Sequence, residues 1–132
     1  MNLFTLYLKE IKTKLIDKKN NFNLNNNSDL SQIIVENPPE KFDFDLSSNA
    51  AMVIAKITNS NPREIAKKLS EILLNEVKDF SIIDIAGPGF LNIKLSNQAW
   101  FKTINSIYKN KKFGSTNLKF LMDLLKLLLN MD

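Results

Sequence analysis

A Gly-Pro-Gly turn between two alternating, β-branched segments is the feature of this sequence that most restricts its fold. The run reads Ile85-Ala86-Gly87-Pro88-Gly89-Phe90-Leu91-Asn92-Ile93-Lys94-Leu95, and a turn flanked in this way is typical of a β-hairpin. A three-residue loop aligns the apolar residues of both arms on one face. A two-residue Pro88-Gly89 turn would move each side chain to the opposite face. The pattern favours the three-residue loop.

The second arm of this hairpin separates apolar from functional side chains. Because strand side chains alternate between faces, Phe90, Asn92 and Lys94 share the face opposite the apolar one, roughly 6.5–7 Å apart. An aromatic ring can stack on an unpaired base, an amide can hydrogen-bond to the base edge, and an ammonium group can contact a phosphate. These three residues are candidate RNA-binding residues. The alternative is a half-exposed strand that carries them without function.

The composition excludes several kinds of catalytic and metal site. The 132 residues include no cysteine and no histidine, which removes thiolate chemistry and the commonest general base and metal ligand. We assign no catalytic, cofactor-binding or metal-binding residue. A small enzyme that uses Glu36, Asp43 and Asp45 as acid–base groups is a remote alternative, because acidic loop residues are usually solvated. The net charge of +4 permits contact with a polyanion without requiring it.

Two further patterns bear on localisation and fold class. The sequence shows neither a secretory signal nor the ~18–20 apolar residues of a membrane span, so we expect a cytoplasmic protein without a membrane partner. Hydrophobic periodicity predicts the order α-β-α-α-β-β-α, which is an α+β fold: a small antiparallel sheet with the hairpin, packed by about four amphipathic helices. The predicted elements include a strand at 32–36, a helix at 49–57 capped by Ser47 or Ser48, a helix that begins at Asn61-Pro62, and a last helix capped by Ser96.

Several segments, in their order and spacing, resemble the N-terminal additional domain of arginyl-tRNA synthetases. The similarity covers residues 1–117. It rests on Phe44-Asp45-Leu46-Ser47-Ser48-Asn49, Asn61-Pro62-Arg63-Glu64-Ile65-Ala66, Ala86-Gly87-Pro88-Gly89-Phe90-Leu91-Asn92, Trp100 and Lys112-Phe113-Gly114.

The resemblance implies a docking domain that contacts the D-loop at the elbow of tRNA-Arg and so supports arginylation. The aromatic residue and the amide after the turn, here Phe90 and Asn92, match the positions that the family uses for this contact. Lys94 is a candidate from the strand argument alone. The implied partners are tRNA-Arg, with no DNA, and the catalytic and anticodon-binding domains of the parent enzyme. ATP is implied for that parent enzyme only, and we expect this chain to be inactive as a ligase by itself.

The segment 118–132 departs from the family pattern. The family continues into a catalytic domain with a histidine-containing ATP motif, whereas this chain has no histidine and ends in a leucine-rich stretch. We expect an apolar helical tail that is the product of truncation or a frameshift after about residue 117. An added amphipathic helix is the alternative. With it comes an alternative function, in which the tail makes the chain a protein-interaction or self-association module.

Overall fold

The computed structural model describes residues 3–39 and 43–110, the last five of these as backbone only. The chain divides into two compact units, Met1–Leu95 and Ser96–Asp132. Among its described residues, the first unit contains three α-helices, a short 3₁₀ helix at Lys19–Phe22 and four strands. These are α1 (Leu3–Asp17), β1 (Val35–Glu36), β2 (Leu46–Ser48), α2 (Ala50–Thr58), α3 (Pro62–Glu76), β3 (Phe80–Ala86) and β4 (Phe90–Leu95). The second unit contains α4 (Asn97–Asn110).

The strands of the first unit form one antiparallel sheet in the order β1-β2-β4-β3. Strand β4 is therefore hydrogen-bonded on both sides. One face of the sheet is apolar, and Leu46, Leu91 and Ile93 on it are fully buried. The helices α1, α2 and α3 contact the sheet through β1, β4 and β3 respectively. The predicted α+β class is confirmed.

Helix periodicity explains how the helices of this unit bury their apolar stripes. Tyr7, Ile11 and Leu15 recur at intervals of four along α1, and all three are buried. Helix α3 begins where the sequence predicts, because the side chain of Asn61 accepts hydrogen bonds from the backbone N–H groups of Arg63 (2.9 Å) and Glu64 (3.4 Å). A cap of this kind is worth about 1 kcal/mol.

Strand β2 was not predicted from the sequence. The residues before 49 were expected to lead directly into a helix, whereas Leu46–Ser48 pair with both β1 and β4. A strand of three residues is too short to show a recognisable alternation of apolar and polar side chains. Strand β2 forms because its backbone pairs with β1 and β4. Asn49 occupies the N-cap position of α2, while the hydroxyl of Ser48 accepts a 3.2 Å hydrogen bond from the N–H of Ala50.

Strand β1 is shorter than the predicted strand at 32–36. The side chain of Asn49 takes the place of a neighbouring strand here: its Oδ1 accepts from the N–H of Ile34 at 2.8 Å, and its Nδ2 donates to the carbonyl of Gln32 at 3.1 Å. The backbone before Val35 is thus satisfied by a side chain and not by a strand ladder.

In the second unit, α4 begins after Ser96 as predicted. The Ser96 hydroxyl accepts a 3.1 Å hydrogen bond from the N–H of Ala99. The predicted tail at 118–132, the boundary at 117 and the Lys112-Phe113-Gly114 motif lie outside the described residues. Within the ranges 3–39 and 43–110, none of the helices has the length and apolar character needed to cross a membrane.

Candidate functional site

The candidate site is built on the hairpin formed by β3 and β4. The residues Gly87, Pro88 and Gly89 join the two strands, and Asp84 pairs with Asn92. This is the register that a three-residue loop requires. Gly87 has φ = 55° and Gly89 has φ = 142°, and the second of these is a conformation that glycine alone adopts readily.

The turn of this hairpin rests on the first residues of α3. A Cβ atom added to Gly89 would lie 3.2 Å from the carbonyl oxygen of Pro62 and 3.4 Å from Cγ of Met52. The Nη1 of Arg63 donates a hydrogen bond to the carbonyl of Gly87. Helix α3 therefore fixes the turn in place.

Phe90, Asn92 and Lys94 share the predicted face of β4, but they differ in exposure. Phe90 and Lys94 are half-buried, whereas Asn92 is only 1% exposed. The alternation along β4 predicted that all three side chains face outward, and the burial of Asn92 corrects this prediction. The difference arises because β4 is a central strand: Asn92 lies between Ser47 of β2 and Asp84 of β3.

A cavity of about 440 Å³ lies over this part of the sheet, within the range of small-molecule sites. Residues from β1, the segment after β1, β2 and the hairpin line it: Glu36, Asn37, Pro38, Pro39, Ser47, Ala86, Gly87, Pro88, Phe90 and Asn92. The structure thus brings Phe90 and Asn92 together in one cavity. Lys94 is not among the described residues that line it.

Asn92 has an unusual hydrogen-bonding state. Among the residues that the structure describes, neither its Nδ2 nor its Oδ1 has a partner. A buried polar group left in this state costs about 1–3 kcal/mol. The amide therefore carries two unpaired N–H donors and an unpaired acceptor at the wall of the cavity, although both of its polar atoms are almost fully buried.

Lys94 lies in a different electrostatic setting, close to Asp45. The carboxylate of Asp45 accepts a 2.7 Å hydrogen bond from the N–H of Leu95. Partial burial raises the pKa of Asp45, while that hydrogen bond and the positive charge of Lys94 act in the opposite direction. Lys94 therefore has a carboxylate in its neighbourhood, whereas Phe90 and Asn92 lie in the cavity.

Three residues in or beside the cavity were not assigned to this site from the sequence. Glu36 and Ser47 belong to other strands, so the pattern of the hairpin alone does not reveal them. Arg63 was noted only within the motif that begins α3, although it is the only arginine among 18 basic residues. Across the described residues, no cluster of three or more Asp or Glu side chains could hold a metal ion.

Comparison with known proteins gives a consistent result. Residues 6–95 match the family described as the arginyl tRNA synthetase N terminal domain. The chain is similar to the arginine–tRNA ligases of Pelagibacter ubique (37% identity over 119 residues), Bartonella henselae (44% over 111) and Rickettsia bellii (39% over 111). These alignments cover 90%, 81% and 84% of this chain, but only 21%, 18% and 18% of the respective relatives. The chain therefore spans about a fifth of the length of these relatives.

Proposed function

Because the chain belongs to the arginyl-tRNA synthetase N-terminal domain family, we propose that it binds tRNA through the cavity beside the hairpin. The partner is tRNA-Arg in the cytoplasm, and the contact is an unstacked base of the D-loop at the tRNA elbow. The ring of Phe90 stacks on this base, and the amide of Asn92 hydrogen-bonds to its edge.

The observation that carries this proposal is the buried, unpartnered amide of Asn92 beside a half-buried aromatic ring. A nucleobase presents donors and acceptors along its edge and a flat surface for stacking. With the amide of Asn92 turned toward the cavity, a base that enters would hydrogen-bond to both Oδ1 and Nδ2 and would cover the ring of Phe90. The polar and aromatic groups of the cavity therefore match the two kinds of surface that a base offers.

Arginylation itself belongs to the catalytic domain that the parent enzyme would supply. We propose that the present chain contributes tRNA binding, and that the catalytic and anticodon-binding domains are its partners within that enzyme. ATP would bind to the catalytic domain of the parent enzyme and not to this chain.

The test is a binding measurement with an unmodified tRNA-Arg transcript and the 132-residue chain. Phe90→Ala and Asn92→Ala should each weaken binding by about 1–3 kcal/mol, the range for loss of stacking on one base or of one specific base contact. A D-arm hairpin should compete with the transcript, and an anticodon-arm hairpin should not.

Two exposed residues of α4 provide matched controls. Phe101→Ala removes an exposed aromatic ring, and Asn97→Ala removes an exposed amide. Neither residue lines the cavity, so both variants should bind as the unmodified chain does. If Phe90→Ala and Asn92→Ala also leave the dissociation constant unchanged, the cavity is not the tRNA site.

A further inference from the structure

We infer that Arg63 contacts a phosphate of the nucleotide that occupies the cavity, and that it also positions the hairpin turn that forms one wall. This inference rests on the proposed function and adds a residue that neither the hairpin pattern nor the family resemblance assigns.

The first observation is how Arg63 is held. Its Nη1 donates to the carbonyl of Gly87, and Gly87 lines the cavity. The guanidinium group is therefore one hydrogen bond away from the cavity wall, although Arg63 itself is exposed. A guanidinium has five N–H donors, so donors remain for a second partner. Within the part of the chain that the structure describes, Arg63 forms no ion pair.

The second observation is the distribution of charge around the cavity. Glu36 is the one charged residue among the described residues that line it. Asp84, opposite Asn92 in the sheet, adds a second carboxylate near the same face. A phosphate would be repelled from the parts of the sheet that carry these groups. At the hairpin turn, by contrast, the positively charged guanidinium group of Arg63 lies next to the cavity wall.

The third observation is the direction along β4. Phe90 lies between Asn92 and the turn, and the three residues from Asn92 to Gly89 span about 10 Å at a rise of ~3.3 Å each. A base placed between the ring of Phe90 and the amide of Asn92 can thus extend its sugar and phosphate toward the turn. Lys94 lies in the opposite direction along the strand, toward the carboxylate of Asp45.

The chemistry of arginine suits both tasks. The planar fork of a guanidinium group can donate to a carbonyl with one edge and to a phosphate with another, which the single ammonium of lysine does less well. Arg63 would therefore couple the position of the turn to the presence of the RNA backbone.

The test compares the salt dependence of binding to the tRNA-Arg transcript. Loss of one phosphate contact lowers the slope of log K against log salt by about 0.7–0.9. Arg63→Gln should show this loss and bind about tenfold more weakly near physiological salt, as expected for a charged hydrogen bond. Arg63→Lys should keep the slope because it keeps the charge. Lys67→Gln, which removes an exposed charge from the same helix, should change the slope by less than half as much as Arg63→Gln.

The outcomes separate this inference from the proposed function. If Phe90→Ala weakens binding but Arg63→Gln keeps the salt slope, the phosphate contact is wrong and the base site stands. If Arg63→Gln and Arg63→Lys weaken binding equally without a change of slope, Arg63 acts only on the turn, and the phosphate contact is again wrong. If Phe90→Ala has no effect, the proposed function fails and this inference fails with it. The thermal unfolding midpoint of each variant shows that the fold is retained.

Discussion

Asn92 combines burial with an unpaired donor and an unpaired acceptor, and folded domains usually avoid this combination. The amide opposes folding, because it exchanges hydrogen bonds with water in the unfolded chain for none that the structure describes. Its presence is therefore better explained by binding than by stability. Asn49 is the opposite case, since both ends of its amide are bonded to backbone groups.

We predict that Asn92→Ala changes the free energy of unfolding by less than about 1 kcal/mol, because the lost packing is offset by removal of an unsatisfied buried group. Asn49→Ala serves as the matched variant and should lower that free energy by about 1–2 kcal/mol, since it breaks two hydrogen bonds. Urea denaturation of both variants measures the difference. Equal destabilisation by the two variants would show that Asn92 has a structural partner.

At this scale, the sequence could predict the face of Phe90 and Asn92 but not their burial. Alternation along one strand is a local property, and it fixes the direction of each side chain. Burial of Asn92 depends on β2, which lies more than 40 residues earlier in the chain. The position of Arg63 beside Gly87 also depends on a long-range contact. No local pattern carries that information.

At the scale of elements, the hairpin turn and the beginning of α3 form one interlocked feature. Both glycines of the turn have positive φ, but only Gly89 lies against the backbone of α3. Gly89 is therefore the less tolerant of a side chain on two counts, its φ of 142° and its contact with Pro62.

We predict that Gly89→Ala lowers the free energy of unfolding by about 2–4 kcal/mol, because the new side chain meets both an unfavourable φ and the carbonyl of Pro62. Gly87→Ala should cost about 1–2 kcal/mol, the price of a left-handed conformation alone, since the nearest atom to its Cβ is Cδ2 of Phe90 at 3.8 Å. Chemical denaturation ranks the two variants. A larger loss for Gly87→Ala would contradict the packing of the turn on α3.

The elements that the sequence predicted well are those with complete local signals. Helices α1 and α3 have apolar stripes, α3 and α4 have capping residues, and the arms of the hairpin alternate. Strand β2 has none of these, and β1 ends early because the side chain of Asn49 replaces a strand. The extent of these two strands is set by hydrogen bonds to residues distant in the chain, so a short window of sequence cannot predict it.

For the whole molecule, every described residue that lines the cavity belongs to the unit Met1–Leu95. None of these lining residues falls in the leucine-rich segment 118–132, which lies outside the described residues. The proposed binding of tRNA through the cavity and the alternative of association through the tail can therefore be tested separately.

We predict that removal of residues 118–132 leaves the dissociation constant for the tRNA-Arg transcript unchanged within about twofold, because no residue that lines the cavity lies in this segment. A twofold change corresponds to about 0.4 kcal/mol, which is less than the expected energy of one base contact. Binding assays and sedimentation of the two chain lengths provide the measurement. Loss of both RNA binding and self-association on shortening would favour the alternative in which the tail makes the chain an interaction module.

The central place of β4 in the sheet has a consequence for how recognition would proceed. Its backbone is held by strands on both sides, so we expect only side chains, among them the buried amide of Asn92, to adjust to a partner. In the proposed complex the larger adaptation would fall on the nucleic acid, which would extrude a base to meet this strand. The chain would then discriminate between RNAs by how readily the loop of each one can extrude a base.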